Sequence, residues 1–167
     1  MKIKIENEIS KTTLQKLRID LSKAKNETSI TVLFDSPGGS VTAGLSIDSE
    51  LREFSRGNPN IPMIAHVVFA ASMASFIATG PAFSKVIVED VVVMMLHHPN
   101  GRFEGDAREL RRSADTLDGF SRDLATQYAR KTGRPIQEML TLMDAESWLF
   151  GKEIVEAGLA DEVIETG

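Results

Sequence analysis

Residues 30–54 read ITVLFDSPGGSVTAGLSIDSELREF, and their reading decides the fold. Ile30–Phe34 is a β-branched, apolar run of strand length, with no polar face. Such a strand is covered on both sides, as in a parallel sheet. DSPGGS is a turn signal. From Val41 onward, Leu45, Ile47, Leu51 and Phe54 recur at the spacing of one helix face. A buried strand, a tight turn and an amphipathic helix make one β–α unit, and the unit recurs on either side. Upstream, IKIENEI predicts a short strand, with Ser10 or Thr12 capping a helix that carries Leu14, Leu17 and Leu21 on one face. Downstream, Pro62–Phe69 predicts a strand, Ala70–Ala78 a helix of small residues, and KVIVED and VVVMMLH (85–97) two more strands.

After residue 97 the pattern changes. A long, highly charged helix is predicted over Asp106–Lys131, with Leu110, Ala114, Leu117, Phe120, Leu124 and Tyr128 on one face. Gly133 and Pro135 end it. A shorter helix with Met139, Leu140 and Met143 follows, then Trp148, a helix over GKEIVEAG and a closing strand, DEVIE. Alternating strands and helices predict an α/β protein with a largely parallel sheet. No repeat or linker divides the 167 residues, so one domain, 1–167, is expected.

Composition narrows the functional classes. A net charge of −5 argues against a nucleic-acid binder working by general electrostatics. Cysteine is absent, which excludes disulfides, thiolate catalysis and cysteine-based zinc sites. MKIKIENEIS lacks the apolar segment of a secretory signal, and no apolar run approaches a membrane span. A cytoplasmic protein needing no membrane, metal or cofactor is the expectation.

Three features carry candidate chemistry. Gly38 and Gly39, directly after the buried strand, permit positive φ and leave backbone N–H groups free to hold an oxyanion or pair with a peptide. Ser72 and Ser75 lie in FAASMASF (69–76), an otherwise apolar stretch. Ser72 falls at the strand–helix junction, where the first helical N–H groups attract negative charge. His97 and His98 end an apolar strand, a good position for a general base. Neighbours on a strand face opposite ways, so at most one of the pair reaches a given site, and the pair does not suit a metal. Each feature alone also has a plain structural reading: a turn, a helix cap, a packed serine, a surface histidine. A serine–histidine pair needs an orienting acid. Asp144 and Glu146, beside the only tryptophan, are the best local candidates.

In combination these residues resemble the Clp protease proteolytic subunit (ClpP) family. The matching segments are FDSPGGSVTAGLSI, AASMASFIATG, VVMMLHHPNG, GDARELRRSADTLDGFSRDLATQYARKTG and LMDAESWLFGKEIVEAGLAD. They follow the family order from Ile30 to the C-terminus. The last two look more like the Clp-like head maturation (prohead) proteases of tailed bacteriophages.

The resemblance implies a ClpP/crotonase-like spiral of ββα units with a protruding handle at about residues 100–132. It implies a serine endopeptidase with Ser72 as nucleophile and His97 as general base. Met73 and the Gly38–Gly39 turn, with Gly38 favoured, would form the oxyanion hole. Ser40, Val41 and Pro99 would flank a peptide or protein substrate gripped as a β-strand. The family's catalytic Asp corresponds to Glu146 here, with Asp144 as fallback and a Ser–His dyad as a further possibility. The Ser…His…acid order matches the family and differs from other serine hydrolases. A homo-oligomer, as a heptameric ring or double ring, is also implied. The short segment before the first strand argues against docking to a Clp-type ATPase. Two other readings share the fold: a non-catalytic ClpP-like scaffold subunit and a crotonase-type acyl-CoA enzyme.

Overall fold

The computed structural model describes residues 1–167. Its sheet has six strands: β1 (Lys2–Glu6), β2 (Ile30–Ser36), β3 (Met63–Ala71), β4 (Lys85–Leu96), β5 (Ser147–Phe150) and β6 (Glu162–Ile164). The first five stand side by side in chain order, and β6 also pairs with β4. β1 through β4 run parallel, as the apolar character of Ile30–Phe34 requires, and β6 continues that sense. β5 runs antiparallel to β4.

Helices connect the strands: α1 (Lys11–Lys23), α2 (Val41–Gly57), α3 (Met73–Ala78), α4 (Ala107–Thr132), α5 (Ile136–Asp144) and α6 (Lys152–Glu156). α1 packs on α2, α2 on α3, α3 on α4 and α4 on α5. One core results. Val32 and Phe34 of β2, Ile47 and Leu51 of α2, Val67 of β3, Ile77 of α3 and Met94 of β4 are all fully buried in it. Burying a side chain of this size stabilises the fold by about 1.5–3 kcal/mol.

The expected mixed α/β architecture is observed, with four differences of detail. Helix α3 starts at Met73 rather than Ala70, because Ala70 and Ala71 extend the ladder opposite Met94 and Met95. The two strands expected over 85–97 are one strand with a register shift in its middle, where Val88 faces Val67 but Val93 faces Phe69. That strand ends at Leu96, so both histidines lie just beyond it. Strand β5 was not expected. It is four residues long, with Trp148 and Phe150 half exposed, too short to leave a readable alternation.

Helix α4 is held at both ends. Asp106 accepts from the N–H groups of Arg108 and Glu109, while Glu109 reaches back to the Asp106 N–H, a reciprocal cap. Gly133 closes the other end in the left-handed conformation, φ 69°. Of the predicted apolar face, only Leu124 and Tyr128 are buried, while Leu110 and Ala114 are exposed and Leu117 and Phe120 half-buried. The N-terminal half of the helix therefore stands away from the core.

Candidate active site

The ends of β3 and β4 meet at the start of α3. Ser72 occupies the junction with φ 57° and ψ −126°, a conformation costly for a residue with a side chain. Its N–H donates to the Met95 carbonyl at 2.9 Å, tying it to β4. Gly38 presses against it from the turn after β2. A Cβ at Gly38 would lie 2.7 Å from both the Ala71 oxygen and Ser72 Cβ, and 3.1 Å from the Met73 nitrogen. The glycine thus keeps open the space in front of the Met73 N–H. As the first residue of α3, Met73 has no intrahelical acceptor, and its N–H donates to no other group of the chain.

Ser72 holds the N-cap position of α3 but makes no capping bond. Its Oγ instead lies 2.7 Å from His97 Nε2. Ser75 behaves as a packing residue. Fully buried, its hydroxyl lies 2.7 Å from the Ala70 carbonyl and 2.9 Å from that of Met95.

The two histidines diverge, as neighbours in extended chain must. His97 Nδ1 faces Glu146 Oε1 at 3.6 Å, beyond hydrogen-bond length. His98 turns the other way. Its Nδ1 lies 2.9 Å from Ser121 Oγ on α4, and its Nε2 lies 2.8 Å from Asp144 Oδ1 at the end of α5. Asp144 and Glu146 therefore serve different histidines. Glu146 projects from the turn between α5 and β5 at φ 49°, with 64% of its side chain exposed. The nearby Trp148 is also half exposed, so it does not bury this acid.

The turn donors separate clearly. Ile9 N–H donates to the Gly38 carbonyl, and Ser40 N–H to the Ile9 carbonyl. Gly38 N–H turns to Ser36 Oγ at 3.2 Å. The Gly39 N–H faces away from Ile9 and has no partner within the chain. The Ser40 hydroxyl caps α2 by accepting from Ala43 N–H at 3.2 Å, Val41 opens that helix half-buried, and Pro99 lies half-buried after β4.

The resolved shifts in acidity fall outside this cluster. Burial raises the Asp48 carboxyl despite Arg52 at 2.9 Å, and burial also raises the Tyr128 hydroxyl. At Asp161 burial works upward too, but Lys131 and the Val86 N–H outweigh it and hold the carboxyl low. Sequence reasoning missed the His98–Ser121–Asp144 contacts. The signal available was the histidine pair, facing two ways, together with two acids two residues apart.

A strained serine at a strand–helix junction, within hydrogen-bond reach of a histidine just beyond the next parallel strand, is the arrangement of an α/β serine hydrolase. Within that class the chain belongs to the Clp protease family, whose model matches residues 1–167. The members of this family are serine-type peptidases. The chain is 32% identical over 145 residues to the ATP-dependent Clp protease proteolytic subunit of Pleurastrum terricola, covering 87% of this chain and 72% of the relative. It is 32% identical over 153 residues to the subunit of that name from Ostreococcus tauri, covering 92% and 74%. With proteolytic subunit 2 from Thermobifida fusca the identity is 29% over 160 residues, covering 96% and 76%.

Proposed function

We propose that this chain, a single peptidase domain, cleaves peptide bonds with Ser72 as nucleophile and His97 as general base. The observation that carries the reading is the 2.7 Å contact between Ser72 Oγ and His97 Nε2 at a serine that forgoes its helix cap. To donate to Nε2, the hydroxyl needs that nitrogen unprotonated, so the ring proton sits on Nδ1 facing Glu146. Ser72 attacks the scissile carbonyl, its proton passes to Nε2, and the imidazolium returns it to the leaving amine. Glu146 favours the productive tautomer and the imidazolium. At 3.6 Å it acts as a charge facing the ring, without a hydrogen bond. The Met73 N–H is the first oxyanion donor. For the second we take Gly39, whose N–H is uncommitted, over Gly38, whose N–H is held by Ser36. Gly38 contributes the open space beside them.

The peptide lies as an added strand along the Gly39–Val41 segment, with Pro99 across from it. Assembly into a ring is what the family likeness implies. It is supported by the uncovered half of α4 and by the exposed Val91, Trp148 and Phe150. No helix is long and apolar enough to cross a membrane. A cytoplasmic head-maturation protease is the narrower role we favour, on the acid–Ser–Trp pattern at 146–148.

The test is fluorophosphonate labelling and peptide hydrolysis by wild type and Ser72→Ala, with sedimentation to size the assembly. Labelling and turnover that vanish in the variant support the reading. Undiminished labelling of Ser72→Ala overturns it, and an assembled wild type that neither labels nor turns over substrate indicates the scaffold alternative.

A further inference from the structure

The contacts of His98 lie outside the proposed catalytic set, yet they hold the element that carries its acid. Glu146 has no side-chain hydrogen bond of its own to fix it, and it stands in an open turn. Its neighbour but one, by contrast, has side-chain partners. Asp144, the last residue of α5, bonds His98 Nε2 at 2.8 Å, and His98 Nδ1 bonds Ser121 on α4 at 2.9 Å. His98 is in turn covalently next to His97. One residue thus connects the base-bearing end of β4, the long helix and the acid-bearing turn.

We propose that His98 is a positioning residue, which through Asp144 seats the Ala145–Glu146 turn so that Glu146 faces His97 Nδ1. The inference rests on the catalytic reading above and deepens it. Chemistry fixes the direction of each bond. A carboxylate only accepts, so Nε2 carries a proton and donates to Asp144, and in the neutral ring Nδ1 accepts from the Ser121 hydroxyl. If the ring takes a second proton, Nδ1 donates to Ser121 Oγ, and that hydroxyl turns toward the carbonyl one turn back in α4. The link to Asp144 persists in both states. The Glu146 N–H, which donates to the Met143 carbonyl at 3.0 Å, reports whether the turn is seated.

Three variants and two readouts test this. His98→Phe removes both bonds, Asp144→Ala removes one from an exposed position, and His98→Gln offers one donor and one acceptor in their place. In His98→Phe and Asp144→Ala, kcat is expected to fall about 10-fold with KM within about 2-fold. Neither variant should cost anything further in a Glu146→Gln background, because a positioning effect acts only through the residue positioned. Amide exchange at residues 144–147 should accelerate at least about 10-fold in both, and His98→Gln should recover both readouts. Unchanged exchange in Asp144→Ala overturns the proposal, as does a kcat loss that adds in full to Glu146→Gln. If Ser72→Ala retains turnover, the catalytic reading fails, while the exchange measurement still judges the clamp.

Discussion

Two serine–histidine–acid sets lie back to back in this molecule, built on adjacent histidines and on acids two residues apart. In the first, Ser72, His97 and Glu146 are joined by one short contact and one long one, 2.7 Å and 3.6 Å. In the second, Ser121, His98 and Asp144 are joined by two short ones, 2.9 Å and 2.8 Å. Hydrogen bonding alone ranks the second higher. The serines reverse that order. Ser121 is buried within α4, where the backbone N–H groups around it are spent on helix bonds. Ser72 sits in a strained junction next to the unspent N–H of Met73, with Gly38 of the glycine turn pressed against it. A nucleophile needs somewhere for the oxyanion to go, and only one of the two sets provides it.

The largest expected effect breaks the two sets apart. Ser72→Ala should lower kcat by about 10³-fold or more, leaving only what binding and the oxyanion donors supply. Ser121→Ala should leave kcat within about 3-fold, since it removes one of the two bonds to a positioning residue. Active-site titration with a fluorophosphonate, followed by steady-state kinetics, reads both. Comparable losses in the two variants would remove the distinction.

Gly38→Ala tests the oxyanion space directly. The new methyl would stand 3.1 Å from the Met73 nitrogen and 2.7 Å from Ser72 Cβ, at a φ of 93° that disfavours any side chain. A loss of about 10²–10³-fold in kcat is expected, the cost of one oxyanion donor. Thermal unfolding run alongside separates a blocked site from a disrupted turn.

The acids give a smaller contrast. Glu146 is well exposed and its contact is long, so water screens its charge, and Glu146→Gln should cost about 10–10²-fold in kcat rather than the larger loss seen for a buried acid. Asp144→Asn keeps an oxygen that accepts from His98, and should cost no more than about 3-fold. A larger loss from Asp144→Asn than from Glu146→Gln would transfer the orienting role.

How much of this was legible depended on the distance over which each feature is encoded. Ile30–Phe34 and the helix after it were readable because burial imposes a local pattern on neighbouring residues. So was the divergence of His97 and His98, which follows from the alternation of extended chain. Three features were not readable. The positive φ of Ser72 goes with contacts to Gly38 and Met95, which are remote in sequence. The partners of Asp144 and Glu146 are fixed by how α5 ends and where β5 pairs, and no local pattern announces a four-residue strand. The commitment of Gly38 N–H to Ser36 depends on a hydroxyl whose direction the sequence leaves open.

The smallest expected effect concerns the third serine. Ser75 lies one turn into α3, with its hydroxyl between the carbonyls of Ala70 and Met95. The Met95 carbonyl also accepts the Ser72 N–H, so Ser75 fastens α3 to the same point of β4 that holds Ser72. A hydroxyl has one proton, and the two carbonyls share it. Ser75→Ala removes that donor from a fully buried position and should destabilise the fold by about 1–2 kcal/mol, lowering Tm by roughly 2–8 °C in a chain of this length. Because Ser72 is held by its own backbone bond and by Gly38, turnover should stay within about 3-fold of wild type. If turnover instead fell by about 30-fold or more (about 2 kcal/mol in the barrier) with Tm unchanged, Ser75 would be helping to hold Ser72 in its strained conformation.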